Sequence, residues 1–147
     1  MKLIHQHDER DCAATCLEMI SRNYGVHITH SELLEMTKTD SSGTNLYGIV
    51  DAAVKIGFES EGLEGTPDEL EEAIVRNEIC FPFIAHIVTE DNLLHFVVVS
   101  KWRKGRFLIY DPGKGKYWQD SSEFYERWTG YIATITNRNS LKKREKK

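Results

Sequence analysis

The sequence predicts an α+β protein in which a helical N-terminal half packs on a C-terminal antiparallel sheet. Three observations lead there. Apolar residues recur at helical spacing through the first half. Runs rich in β-branched and aromatic residues, separated by short polar turns, fill the second. No internal repeat or low-complexity stretch interrupts residues 1–136, and 147 residues suffice to bury roughly two-thirds of the unfolded surface in one core.

The first helix starts at Cys12. Ala13, Cys16, Leu17, Ile20 and Tyr24 recur along one face, and Gly25 closes the run. Thr29-His30-Ser31-Glu32 is a capping-box pattern, opening a short helix through Leu33, Leu34 and Met36. Asp40-Ser41-Ser42-Gly43 reads as a loop. Thr44 or Asn45 then caps a third helix carrying Leu46, Ile49, Val50, Ala53 and Ile56, ended by Gly57. Phe58 to Leu63 is a short strand. Thr66-Pro67-Asp68-Glu69 opens a fourth helix, with proline at its first position, that runs to about Asn77. The β-rich runs are Ile79 to Val88, Leu93 to Trp102 and Arg106 to Tyr110, with turns at Thr89–Asn92 and Arg103–Gly105. A short helix around Ser122 to Trp128 precedes the last strand, Tyr131 to Thr136.

Composition excludes several classes. Three cysteines are too few, and odd in number, for a disulfide framework, which points to a reducing compartment. No apolar run reaches the roughly 18–20 residues of a membrane helix, and Met1-Lys2-Leu3-Ile4-His5 is no signal peptide, so a soluble cytosolic chain is expected. The net charge of −4 is uneven: residues 137–147 hold six basic residues and one acidic, leaving −9 on the body. An acidic body argues against nucleic acid as a partner. The tail reads as disordered, either a solvated terminus or a linker toward an anionic membrane surface, so the globular domain spans residues 1–136.

Cys12 is the strongest candidate for chemistry. It sits where the polar segment Gln6-His7-Asp8-Glu9-Arg10-Asp11 becomes a helix, and a thiol in a first helical turn meets unpaired N–H groups and the positive dipole end, which favour thiolate. His95 and Asp111, far along the chain, offer a base and a group to orient it. If Arg103-Lys104-Gly105 is a hairpin turn, facing residues sum to about 208–209, which puts His95 opposite Pro112 or Gly113 and beside Asp111, on strands about 5 Å apart. The plainer reading keeps His95 as a core histidine and Asp111 as a turn residue before Pro112. A hairpin about Glu90-Asp91, with facing residues summing to about 181, puts His86 opposite His95, as its support or its competitor. Gln6 can supply a side-chain amide to an oxyanion, beside the Cys12 N–H. Asp11 reads as a helix cap, and Cys16 and Cys80 as core. His5, His7 and His30 show no partner. A zinc module on His5, His7, Cys12 and Cys16 lacks the second ligand cluster of a structural site, so neither metal nor cofactor is expected.

Gln6-x-Asp8-x-x-Asp11-Cys12-x-x-x-Cys16-Leu17 resembles the N-terminal signature of bacteriocin-processing cysteine peptidases, the peptidase domains of peptidase-containing ABC transporters. The similarity continues through Gly43-Thr44-Asn45-x-Tyr47-Gly48, Ala52-Ala53, Gly57-Phe58, His95-Phe96-Val97-Val98, Asp111-Pro112-Gly113-Lys114-Gly115 and Trp128-Thr129-Gly130. One position departs: Ala13 stands where many members have glycine, a change a helix accepts. The resemblance implies a papain-like fold and an endopeptidase that removes leader peptides after a Gly-Gly or Gly-Ala-type pair from bacteriocin, lanthipeptide or signalling-peptide precursors before export. It implies Cys12 as nucleophile, His95 as general base and acid, Asp111 as the His-orienting residue and Gln6 as oxyanion donor. A narrow channel that admits only glycine leaves recognition to an amphipathic leader helix in an apolar groove, with Leu46 and Tyr47 as candidates for its rim. The implied partners are the precursor peptide and the transmembrane and ATPase domains of a transporter chain, at the cytoplasmic side of a bacterial membrane. The chain itself has no Gly-x-x-x-x-Gly-Lys-Ser/Thr loop. The isolated domain is expected to be monomeric. The competing class is a docking module that binds leader without cleaving it.

Overall fold

A computed structural model describes residues 1–8, 10–39 and 43–137. Three helices come first, α1 (Cys12–Asn23), α2 (His30–Met36) and α3 (Leu46–Ile56). They are followed by β1 (Glu59–Glu64), α4 (Pro67–Val75), β2 (Phe83–Val88), β3 (Leu94–Arg103), β4 (Arg106–Asp111), β5 (Gly115–Asp120), α5 (Ser121–Arg127) and β6 (Trp128–Thr136). The caps form as their side chains allow. Asn45, not Thr44, caps α3, its Oδ1 accepting from the Gly48 N–H at 2.9 Å. Thr66 and Glu69 close both halves of a capping box on α4, and Thr29 accepts from the Glu32 N–H.

The strands make one antiparallel sheet in the order β1-β6-β2-β3-β4-β5. α1 lies against β3, and every residue from Cys12 to Ser21 is buried. Ala13 and Ala14 let the helix approach the sheet closely; Leu17, Met19 and Ile20 fill the layer with Ile84, Phe96, Val98, Leu108 and Tyr110. The opposite face is covered too. Leu70 of α4 and Phe124 of α5 pack there on Phe83, Val97, Val99, Phe107 and Ile109. Covered on both faces, β2, β3 and β4 read as nearly continuous apolar runs. Helices thus flank the sheet on both sides, with α1–α3 on the side that carries the N-terminus of α1.

Three boundaries differ from expectation. β5 went unpredicted because its sequence, Gly-Lys-Tyr-Trp-Gln-Asp, is half polar; as an edge strand it pairs on one side only, with β4. β2 begins at Phe83 rather than Ile79, since Pro82 has no N–H to give a ladder. β6 begins three residues early, at Trp128, passing through Gly130 at φ +97. A Cβ at Gly130 would sit 3.0 Å from the Gly65 carbonyl, so both conformation and space ask for glycine. Residues 40–42 and the basic stretch 138–147 lie outside the described residues. Among the described residues no helix is long and apolar enough to cross a membrane.

Gly48 holds α2 against α3. A Cβ there would meet the Thr37 carbonyl oxygen at 2.4 Å and Thr44 Cγ2 at 2.9 Å, and backbone cannot yield as a side-chain tip can. Gly48→Ala is expected to destabilise the domain by about 1–3 kcal/mol despite alanine's better helix propensity. A denaturant midpoint equal to or above wild type would show that the α2–α3 contact relaxes freely.

Candidate active site

The N-terminus of α1, the start of β3 and the end of β4 meet at one end of the sheet. Cys12 is the first residue of α1 and is 7% exposed. The β3–β4 hairpin runs from Arg103 opposite Arg106, through a bulge between Val99 and Lys101, to Val98 opposite Tyr110. Continuing that register brings His95 beside the turn after Asp111. His95 Nε2 and Asp111 Oδ1 are 2.7 Å apart, and both residues are buried. The same Oδ1 accepts from the N–H groups of Gly113 at 2.8 Å and Lys114 at 3.2 Å. With Nε2 on Asp111, Nδ1 is the nitrogen left to face Cys12, which contributes to the raised pKa of His95.

The electrostatics follow from these contacts. Burial opposes a charge on His95, but the bonds to Asp111 and Cys12, with the charge of each, outweigh it and raise its pKa to about 9. Burial also works against the Asp111 carboxylate. The bond and charge of His95 and the two backbone N–H groups overcome it and hold the group below the ordinary carboxylate range. Asp111 is therefore ionised and His95 an imidazolium at neutral pH.

Gln6 reaches the site from the leading segment. Its N–H donates to the Pro112 carbonyl at 2.9 Å, which ties residue 6 to the turn after β4. Its Oε1 is buried without a partner, facing Gly113. Two grooves meet here. One, of about 570 Å³, is lined by Cys12, Leu46, Tyr47, His86, Phe96 and Tyr131. The other, of about 530 Å³, is lined by Gln6, His95, Asp111, Gly113 and Lys114. Leu94 and Arg10 border both. Tyr47 and Leu94, at 71% and 69% exposed, give the first groove an uncovered apolar rim.

Two expectations need correction. His86 pairs with Phe96, and His95 with Ile87. The turn is a three-residue loop between Thr89 and Leu93, closed by Asn92 at φ +62, which shifts the register by one and sends His86 to the other face of the sheet. His86 Nδ1 lies 2.9 Å from Thr129 Oγ1, which itself donates to the His86 carbonyl. Burial, then the charge of His95, lowers its pKa, so His86 is a neutral wall of the first groove. Asp11, in turn, makes no side-chain bond to the helix it precedes. Its carboxylate accepts from the N–H groups of His7 (3.0 Å) and Asp8 (3.1 Å) and so folds the leading segment back on itself.

Cys16 is fully buried and donates to the Phe96 carbonyl; burial, then the charges of Cys12 and Asp111, keeps its thiol protonated. His30 is the residue the sequence reading missed. Its Nε2 is 2.9 Å from Asp11 Oδ2 and its Nδ1 3.2 Å from Glu18 Oε1. A signal existed: Asp11 and Glu18 are seven apart, two helical turns on one side, and the helix is otherwise buried.

The profile of the peptidase C39 family matches residues 1–140. The lactococcin-G-processing and transport ATP-binding protein LagD of Lactococcus lactis subsp. lactis is 38% identical over 131 residues, covering 89% of this chain and 18% of LagD. The transport/processing ATP-binding protein ComA of Streptococcus pneumoniae is 35% identical over 127 residues, 85% of this chain and 17% of ComA. The chain thus spans about a fifth of the length of these relatives. The crystal structure of the peptidase domain of Streptococcus ComA superposes with a TM-score of 0.83 at 29% identity, covering 93% of this chain and 98% of that one. A double-glycine-motif protease from an AMS/PCAT transporter, crystallised with its leader peptide, gives 0.80 at 26% identity over 91% and 89% of the two chains. In sequence and in its papain-like α+β fold alike, the chain belongs to the peptidase C39 family.

Proposed function

We propose that the chain is a cysteine endopeptidase that removes leader peptides after a Gly-Gly or Gly-Ala-type pair from ribosomally made precursors. The observation that carries this is the buried pair of His95 and Asp111, 2.7 Å apart, close to Cys12 at the start of α1. The Cys12 thiolate attacks the scissile carbonyl, and the oxyanion takes hydrogen bonds from the Cys12 N–H and the Gln6 amide. The tetrahedral intermediate collapses, the C–N bond breaks, and His95 gives its proton to the departing amine. A thioester between Cys12 and the leader's C-terminus remains. His95, now neutral, takes a proton from water; the resulting hydroxide displaces the sulfur and frees the leader carboxylate. Asp111 holds the imidazole in one orientation throughout.

The acid that protonates the leaving amine must stand on the leaving side. The groove containing His95 and Gln6 therefore takes the first residues of the product, and the groove beside Leu46, Tyr47 and Tyr131 takes the leader. Their uncovered apolar rim suits the apolar face of an amphipathic helix. The names of the relatives join processing to transport, and on this reading the domain works joined to a membrane transporter, at the cytoplasmic face, and passes the trimmed peptide to it.

Mass spectrometry of a Gly-Gly leader–core peptide incubated with the wild type and with Cys12→Ala tests the reading. Cleavage after the second glycine by wild type alone is the expected result. Binding without cleavage by both proteins would replace it with a docking module. For the groove, a leader whose apolar helical face is changed to alanine should raise KM about tenfold or more with kcat little altered. An unchanged KM would remove the leader from this groove.

A further inference from the structure

Outside the Cys12–His95–Asp111 line, His30 on α2 is paired with two buried acidic side chains near the site. Both its ring nitrogens face carboxylates, Asp11 Oδ2 at 2.9 Å and Glu18 Oε1 at 3.2 Å. With both nitrogens engaged, the ring is fixed in one orientation between the two side chains. Asp11 and Glu18 are 3% and 5% exposed, and a charge so buried persists only when paired. Other groups bear on the cluster: Arg22 binds the second oxygen of Glu18 at 2.8 Å, and the His7 ring lies edge-on to His30 at 4.8 Å. The Asp11 carboxylate, on the residue directly before Cys12, then holds the backbone of His7 and Asp8, directly after Gln6.

We propose that His30, bridging Asp11 and Glu18 through its two ring nitrogens, is a positioning residue that fixes the Gln6 segment over Cys12. The proposal rests on the peptidase reading and adds to it a residue on a helix that contributes nothing else to the site. The chain of contacts is short. His30 fixes Asp11, Asp11 fixes the N–H groups of residues 7 and 8, and the Pro112 carbonyl fixes residue 6 from the other side. Without His30, Asp11 loses its side-chain partner, and the segment is held only at Pro112. A metal ion could also sit here, since His7, Asp11 and His30 offer ligand atoms within 4.8 Å of one another. That spread exceeds the roughly 3.4 Å between ligands of a tetrahedral ion, and both His30 nitrogens are already engaged.

His30→Ala and His30→Arg decide the matter, the second because a guanidinium can donate to two carboxylates at once. Hydrogen exchange at the His7 and Asp8 amides needs no substrate. It should quicken at least tenfold in His30→Ala and return toward wild type in His30→Arg. On a Gly-Gly leader peptide, His30→Ala should lower kcat about tenfold or more at nearly constant KM, and His30→Arg should recover most of it. Added to Asp11→Asn, His30→Ala should cost nothing further, since both act through one carboxylate. Unchanged exchange, unchanged kcat, additive losses in the double variant, or an arginine that restores melting temperature but not kcat would each overturn the proposal. So would stoichiometric zinc in the purified protein that is lost in His7→Ala. A wild type that cleaves nothing would defeat the peptidase reading instead, while the exchange measurement would still decide the bridge.

Discussion

Cys12→Ala is expected to bring leader cleavage to background, a loss of at least about 10⁴-fold in kcat, while leader affinity and the fold survive. The size follows from the chemistry. Without sulfur there is no thioester, and the residual groups cannot raise water to comparable reactivity; removal of a triad member typically leaves only what the oxyanion hole and binding provide. The survival of the fold follows from position. Cys12 opens α1 at the edge of the core, and alanine is a good helix former that fits a shell already containing Ala13 and Ala14. Leader binding, which we propose for the groove rimmed by Tyr47 and Leu94, should persist. Cleavage is read by mass spectrometry and affinity by fluorescence anisotropy of a labelled leader. Turnover by Cys12→Ala within about a hundredfold of wild type would move the nucleophile elsewhere.

The second large effect concerns the proton on His95. Because its pKa is raised to about 9, kcat/KM should stay high through neutral pH and fall as pH rises through about 9, where the acid that protonates the leaving amine is lost. Asp111→Asn keeps the shape of the side chain but removes the charge and leaves an amide that can present the wrong polarity to Nε2. It should lower kcat at pH 7 by about 10²–10⁴-fold and move the alkaline limb to lower pH. The stability consequence has the same sign. A histidine raised from 6.5 in the unfolded chain to about 9 in the fold stabilises it fully below 6.5, and that contribution fades as pH rises through 9. Asp111→Asn should weaken this pH dependence in urea unfolding between pH 6.5 and 9. An alkaline limb that does not move in Asp111→Asn would mean that the carboxylate does not hold the charge on His95.

Register shows where reading the sequence works and where it stops. The Arg103-Lys104-Gly105 turn is marked by its own residues, so the β3–β4 pairing, and with it the meeting of His95 and Asp111, follows from counting along two strands. Thr89–Asn92 carries four polar residues with no glycine to fix the turn. One residue more or less decides which face His86 takes, and only the left-handed Asn92 settles it. β5 was invisible because an edge strand needs neither alternation nor β-branched residues when a full partner strand, β4, supplies its hydrogen bonds. His30 was missed for another reason. A histidine's partners can lie anywhere in space, and Asp11 carries a ready local explanation as a cap that the structure does not use.

By itself, then, the sequence determined the local facts: the start of α1 at Cys12, the Thr66 cap, the Gly57 stop and the hairpin that carries His95 toward Asp111. Each is decided by neighbours a few residues away, where spacing and backbone chemistry suffice. Only the tertiary structure decided what lies between elements: that Gln6 is pinned by Pro112, that two grooves meet at Cys12, and that buried Asp11 and Glu18 share one histidine. Those arrangements depend on how α1, α2 and the sheet approach one another. That approach is set by the close packing of small residues such as Ala13, Ala14 and Gly48, a property of the assembled core rather than of any one segment.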